Sequence, residues 1–147
     1  MIVQLKNISK QYKDAKFKLQ NISFDINKKE VIGIIGRNGT GKSTILKMIN
    51  GIVNYDSGDI LYKSQSLSEM TPATLRQTRK NLAYIFQHSN LIDNKSVYYH
   101  LSLVYKLNKV PVDKKKVNYI LEFMNISRLK DSLCGSLSGG EQQKVAI

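Results

Sequence analysis

The fold of this chain follows from one short segment, Gly36-Arg37-Asn38-Gly39-Thr40-Gly41-Lys42-Ser43. The segment fits the pattern G-x-x-x-x-G-K-[ST], in which glycines let backbone N–H groups turn towards phosphate oxygens. An apolar run at residues 31–35 precedes it and a helical apolar pattern follows it. A strand before the motif and a helix after it are the context that phosphate binding requires. The sequence therefore predicts a phosphate-binding loop, with a plain glycine turn between strand and helix as the alternative.

The side chains of this loop suit a nucleoside triphosphate with its metal ion. Lys42 is placed to neutralise the β- and γ-phosphates, and the hydroxyl of Ser43 to ligate Mg²⁺. The helix that begins near Lys42 adds the partial positive charge of its N-terminus. The other candidate binding residues of the loop are Gly36, Arg37, Asn38, Gly39, Thr40, Gly41 and Thr44. ATP and Mg²⁺ are thus the predicted cofactors.

Length, charge and hydropathy limit the classes of protein to which this chain can belong. The 147 residues suffice for one domain with a hydrophobic core. A formal net charge of +12 favours polyanionic partners, such as nucleotide phosphates, nucleic acid or anionic lipids, unless the lysines only decorate solvated faces. The single cysteine, Cys134, cannot form an intrachain disulfide. Every apolar stretch is far shorter than the roughly 20 residues of a membrane span, so any membrane role is expected to come through a partner.

Apolar periodicity predicts the main elements. Alternating apolar residues predict a strand over Leu19 to Ile26, and runs that are apolar on both faces predict buried strands at residues 31–35 and 82–86. Thr71 and Pro72 mark the start of a helix, and the pattern is helical from Ser96 onward. Three helical faces are predicted from apolar spacing: Ile45, Leu46, Met48 and Ile49; Val97, His100, Leu101, Val104 and Tyr105; and Val117, Ile120, Leu121 and Met124.

A second glycine-rich turn, Leu137-Ser138-Gly139-Gly140-Glu141, stands just ahead of a predicted helix. A helix N-terminus of this kind is a ready-made anion site, although alone the turn is also explained as a loop before a Ser-capped helix. Together with the phosphate loop, it resembles the nucleotide-binding domains of ABC transporters, whose signature reads LSGGE or LSGGQ. The resemblance implies an α/β fold over residues 1–147: a P-loop NTPase core with an N-terminal antiparallel β-subdomain, a helical subdomain at residues 88–137, and the C-terminal strands missing.

The same resemblance assigns roles to residues outside the phosphate loop. Gln87 matches the glutamine that contacts Mg²⁺ and the attacking water, and Tyr12 matches the aromatic ring that stacks on adenine. Without the resemblance, Tyr12 is equally an ordinary residue at a strand end, and for Gln87 the ordinary polar residue is the favoured interpretation. Members of the family pair head to tail, which implies that Ser138, Gly139 and Gly140 of a second copy close over the ATP. Lys42 and Gln87 are then the catalytic candidates, and Ser43 and Gln87 the metal ligands.

The family's acidic block, an apolar run ending in Asp-Glu, does not occur in the 147 residues. That block supplies the family's general-base glutamate and a carboxylate for Mg²⁺. The acidic residues Asp93, Glu122 and Asp131 do not end apolar strands and so are no substitutes. The family activity is ATP hydrolysis, and we expect the 147-residue chain alone to bind ATP with negligible turnover.

The segment Tyr84-Ile85-Phe86-Gln87-His88-Ser89-Asn90-Leu91-Ile92 resembles methionine-type amino-acid importers. This likeness implies an ATP-binding subunit, peripheral on the cytoplasmic face of the membrane, that powers import of methionine or another amino acid. Its partners would be transmembrane permease subunits, docked on residues 87–94 and 96–133, and a second copy of the domain. No nucleic-acid partner is expected. The alternatives are a ribosome-associated ABC ATPase, which the positive charge would suit, and an inactive truncated remnant.

Overall fold

The computed structural model describes residues 1–12 and 18–147, which form two compact units, Met1–Tyr84 and Ile85–Ile147. The first unit contains a four-stranded antiparallel sheet of order β2-β1-β3-β4. Its strands are β1 (Val3–Gln11), β2 (Lys18–Ile26), β3 (Ser57–Tyr62) and β4 (Gln65–Ser66), and its helices are α1 (Lys42–Ile49) and α2 (Pro72–Arg79). The predicted antiparallel β-subdomain and the predicted strand over Leu19 to Ile26 are confirmed.

The core of the first unit lies on one face of this sheet. In β1, Leu5 stands opposite Phe24 of β2 on one side and Ile60 of β3 on the other. Alternate strand residues point to the same face, so these positions build one apolar layer. The fully enclosed members of the core are Leu5, Ile8, Met48 and Ile60. Helix α1 contributes Met48 and its neighbours to that layer, which places the start of the helix beside the sheet.

Helix α1 buries a narrower face than the apolar spacing predicted. Ile45, Met48 and Ile49 are buried, but Leu46 is 45% exposed. Residues at i, i+3 and i+4 share one side of a helix, whereas the next residue is rotated by about 100°. Including Leu46 in the buried face was therefore wrong.

The ends of α1 and α2 follow the local signals in the sequence. Gly51 has a φ of +63° just after the last turn of α1, and Thr71 caps α2 by accepting from the N–H of Thr74, with Pro72 in the first turn. Arg79 of α2 donates to the carbonyls of Asn50, at 3.2 Å, and of Gly51. Because the last carbonyls of a helix lack intrahelical partners, this guanidinium ties α2 to the end of α1.

Two predicted buried strands are not found. Residues 31–35 and 82–86 lie outside the assigned strands and helices, and Val31 and Ile35 are each 96% exposed. Of the first run, Ile34 packs against the core of the unit. A strand is buried on both faces only when other elements cover both, and within the described residues nothing covers Val31 or Ile35. An apolar pattern predicts the need for such cover but does not supply it.

The second unit is helical, as predicted from Ser96 onward. It contains α3 (Val97–Leu107), α4 (Lys114–Phe123) and α5 (Gly139–Ala146), with 3₁₀ turns at Ser127–Leu129 and Cys134–Ser136. Its core comprises Val97, Val117, Leu121, Ile126, Leu129, Cys134, Leu137 and Val145. Val104 was expected on the buried face of α3 but is 61% exposed, because α3 is apolar around more of its circumference than its neighbours cover. Among the helices of the described residues, none has the length and apolarity that crossing a membrane requires.

Candidate functional site

The phosphate loop has a backbone shape that only glycine adopts readily. Gly39 and Gly41 have φ values of +80° and +88°, in the left-handed region, and Gly41 forms the N-cap of α1. A Cβ on Gly41 would lie 2.8 Å from a side-chain carbon of Leu19. The glycine at position 41 is therefore required both by its own conformation and by the approach of β2.

Lys42 folds back onto the start of this loop. Its Nζ donates to the carbonyl oxygens of Gly36, at 2.8 Å, and of Arg37, at 2.7 Å. The hydroxyl of Thr40 donates to the same Arg37 carbonyl, at 2.8 Å. A lysine ammonium has three N–H donors, so these two bonds leave a third for an anion. The lysine is thus held at the loop by neutral acceptors, which do not cancel its charge.

The start of α1 is electrostatically suited to a phosphate group. Its first turn contains Lys42 and no acidic residue. Since the N-terminus of a helix carries a partial positive charge and free N–H groups, the two contributions reinforce each other. Ser43 is exposed and Thr44 half-buried in the same turn, and Arg37 and Asn38 are exposed in the loop. The residues present therefore fit a bound polyphosphate.

Tyr12, the candidate adenine-stacking residue, also lies in the first unit. It follows the last residue of β1, and its side chain is 46% exposed. Lys10 holds its ammonium 5.6 Å from the centre of the Tyr12 ring while pairing with Asp56 at 2.8 Å. An exposed ring at the end of a rigid strand is available for stacking on a flat ligand.

The signature turn in the second unit is a complete capping box. Ser138 is the N-cap of α5, and its hydroxyl and backbone N–H both donate to the carboxylate of Glu141, at 2.8 and 3.0 Å. In return, the Glu141 N–H donates to the Ser138 hydroxyl at 3.4 Å. Gly139 and Gly140 are exposed, with open space where side chains would stand. The turn therefore presents bare backbone to its surroundings.

Arg128 completes this turn and was missed by sequence reasoning. Its Nη2 lies 2.6 Å from Oε1 of Glu141. The pKa of the Glu141 carboxyl is lowered, chiefly by the hydrogen bond from the Ser138 hydroxyl, then by the Ser138 backbone N–H and by the charge of Arg128. The arginine stands thirteen residues before Glu141, a separation at which no sequence signal pairs the two.

The remaining candidates are distributed between the units. Gln87 is exposed and lies in the second unit with the signature turn, whereas the phosphate loop and Tyr12 lie in the first. Within residues 1–12 and 18–147, no group of three His, Cys, Asp or Glu side chains clusters as a metal site. Mg²⁺ commonly binds through one or two protein ligands together with substrate phosphates, so Ser43 suits a metal carried by the nucleotide.

The chain is similar in sequence to a known protein family and to curated proteins. A family model described as ABC transporter matches residues 19–147. The methionine import ATP-binding protein MetN of Clostridium tetani is 38% identical over 149 residues, covering 99% of this chain and 46% of that protein. The molybdate/tungstate import ATP-binding protein WtpC of Methanocaldococcus jannaschii is also 38% identical over 149 residues, covering 99% and 47%. The chain thus spans about half the length of these curated relatives.

The fold of the chain is also similar to those of solved structures. The chain matches cbiO1 of Clostridium perfringens, part of the ABC transporter complex cbiONQ, with a TM-score of 0.80 at 28% identity, covering 99% of this chain and 59% of that one. It also matches the ATP-binding cassette MJ0796, solved as a dimer in a post-hydrolysis state bound to ADP and Pi. The TM-score there is 0.83 at 26% identity, with 99% and 67% covered.

Proposed function

Since the chain belongs to the ABC transporter family, we propose that it binds Mg-ATP as the ATP-binding part of a membrane importer. The resemblance drawn from the sequence and the α/β P-loop fold are confirmed by the family match and the solved structures. The observation that carries the proposal is the arrangement of Lys42, held by the carbonyls of Gly36 and Arg37 at the N-terminus of α1.

The loop residues take up the nucleotide. The third N–H donor of Lys42 and the N–H groups around Gly39 and Gly41 would bind the β- and γ-phosphates, and Ser43 would ligate the Mg²⁺ that the nucleotide brings. Tyr12 stacks on the adenine. Bound Mg²⁺ withdraws charge from the phosphates, and the protein groups position the triphosphate around it.

Further proposed contributors lie in the second unit. Gln87 would ligate Mg²⁺ and orient the attacking water, and a second copy of the chain would bring Ser138, Gly139 and Gly140 over the γ-phosphate. The exposed backbone of that turn and the N-terminus of α5 suit an anion. The dimeric structure of MJ0796, with ADP and Pi bound, supports the pairing of two copies.

The relatives support a proposal about transport and location. We propose that the protein drives uptake of a small solute, methionine or another amino acid, with transmembrane permease subunits at the cytoplasmic face of the membrane. The name of the Clostridium tetani relative supports methionine. Both curated relatives named above are importers, so the RNA-binding alternative gains no support. The exposed apolar side chains of α3, Val104 and Leu107, are proposed as part of the permease-docking surface.

Hydrolysis of ATP is the proposed activity of the whole protein. For the 147-residue chain tested alone, we propose binding without turnover. Phosphoryl transfer depends on carboxylates positioned beside the γ-phosphate and Mg²⁺, and this sequence has no such residue at the end of an apolar strand.

Calorimetric titration of Mg-ATP tests the proposal directly. Lys42→Ala is expected to weaken binding by about 100-fold or more, because a charge-assisted contact to phosphate is lost. Lys47→Ala is the matched control: it removes a lysine from the last turn of the same helix and is expected to change affinity less than about twofold. Equal affinity of Lys42→Ala and the unmodified chain would refute the assignment of the loop.

A further inference from the structure

The segment that follows Gln87, residues 88–95, is fastened to the turn that leads into the signature motif. The N–H of Cys134 donates to the carbonyl of Lys95 at 2.9 Å, and the N–H of Gly135 donates to the carbonyl of Asp93 at 3.0 Å. A Cβ on Gly135 would lie 3.0 Å from the Cβ of Asp93, so the two backbones are in close contact. We call residues 88–95 the Gln87 segment.

Gln142 joins this assembly to the signature helix itself. One turn into α5, its Nε2 donates to the carbonyls of Cys134, at 3.0 Å, and Leu137, at 3.4 Å. Its Oε1 accepts from the hydroxyl of Ser89, at 3.0 Å. One half-buried amide therefore bonds the Gln87 segment, the 3₁₀ turn and the residue just before Ser138 at the same time.

His100 of α3 fixes the middle of the same segment. The N–H of Ile92 donates to its Nε2 at 2.9 Å, and its Nδ1 lies 2.9 Å from the carbonyl of Ser96. With Nε2 accepting, Nδ1 carries the proton and donates to Ser96. The Gln87 segment is thus held at Ser89, Ile92, Asp93 and Lys95.

We propose that Gln142 is a positioning residue that couples the Gln87 segment to the signature turn, so that a displacement of that segment reorients the backbone of Ser138, Gly139 and Gly140. The inference rests on the proposed function, which puts Gln87 at one ATP and the signature turn at the other. A satisfied polar network moves as one piece, because separating any member leaves donors and acceptors unpaired. The amide of Gln142 is the member that reaches from the Gln87 segment into α5.

Hydrogen exchange of the purified protein tests the coupling without ATP. Gln142→Leu, which removes the amide and leaves an apolar side chain, and Ser89→Ala are each expected to speed exchange of the Leu137, Glu141 and Gln142 amides by about three- to tenfold. Ser89→Thr retains the hydroxyl and is expected to restore slow exchange. Gln143→Leu is the matched control, since the described structure gives that neighbouring side chain no hydrogen bond. Unchanged exchange in both test variants would overturn the proposal, whatever happens to ATP binding.

Steady-state ATP hydrolysis, measured on a form of the protein that turns over ATP, separates positioning from plain structural support. Gln142→Leu is expected to lower kcat about tenfold with KM for ATP within about twofold, and Ser89→Ala to lower kcat about threefold. If the two act through one bond, the double variant matches Gln142→Leu rather than the product of the single effects. Independent effects in this cycle, or an unchanged kcat, would contradict the proposal. Activity that survives Lys42→Ala would instead contradict the proposed function and leave the exchange result to decide the coupling.

Discussion

Two glycine-rich helix starts, at Gly41 before α1 and at Ser138 before α5, are built in different ways. The bonds at the first are made within its own segment, where Lys42 and Thr40 donate to the carbonyls of Gly36 and Arg37. The second has a local capping box, but groups from elsewhere in the chain also hold it: Arg128 on Glu141 and Ser89 on Gln142.

The difference shows how similar backbone motifs serve different tasks. At the first start, the charge of Lys42 meets only neutral carbonyls among residues 1–12 and 18–147, which leaves it available to an anion. At the N-terminus of α5, the carboxylate of Glu141 is already bonded to Arg128 and Ser138. This turn therefore offers a fixed backbone rather than an unpaired charge. We therefore propose that the first start captures an anion and that the second presents fixed N–H groups to one.

The largest effect is expected from a substitution at Gly41, the N-cap of α1. Gly41→Ala forces an L-residue into the left-handed region and drives its Cβ against Leu19, which together should cost about 2–4 kcal/mol of unfolding free energy. The affinity for Mg-ATP should also fall about tenfold or more, because the changed backbone no longer directs the loop N–H groups towards the phosphates. Urea denaturation and calorimetry measure the two effects.

Gly33→Ala provides the comparison for that substitution. An added Cβ at Gly33 meets no atom of the described residues within 4 Å, and the φ of Gly33 is not positive. Its unfolding free energy should stay within about 0.5 kcal/mol of the unmodified chain. Equal losses at Gly33 and Gly41 would show that the backbone conformation at 41 is not what the loop needs.

A smaller effect is expected from removing the side-chain cap at the N-terminus of α5. Ser138→Ala should lower the unfolding free energy by about 1 kcal/mol, because the N–H of Glu141 loses its acceptor. Ser138→Thr keeps the hydroxyl and should recover most of the loss. Thermal or urea unfolding measures both. A Thr variant as unstable as the Ala variant would argue against the capping box.

The smallest expected effect is the pH dependence of the stabilisation that the Glu141 carboxylate contributes. The folded pKa of Glu141 lies below its ordinary value of 4.5, so its ionised form is favoured in the folded state. The resulting stabilisation is present above pH 4.5 and is lost as pH falls through the folded pKa. The stability difference between the unmodified chain and Glu141→Gln should therefore shrink on acidification. Urea unfolding between neutral and acidic pH checks this, and a difference independent of pH would contradict the role of the carboxylate.

Predictions from the sequence succeeded where a few neighbouring residues suffice. Thr71 with Pro72 started α2, and Gly51 ended α1, because caps act on backbone groups within one turn. Predictions that required knowing what covers a surface failed. Residues 31–35 and 82–86 are apolar, but pattern alone does not reveal which elements lie over them, and the same holds for Val104 on α3.

From residue types alone, the family and the Ser-capped turn at Ser138 could be predicted, together with the glycines that the loop before α1 requires. These depend on residue types at short spacing, which act through local backbone geometry. The pairing of Arg128 with Glu141, and the bonds of Gln142 to Ser89 and Cys134, became visible only in the folded chain. Side chains far apart in sequence meet only after helices and turns have packed, because their meeting depends on the position of every element between them.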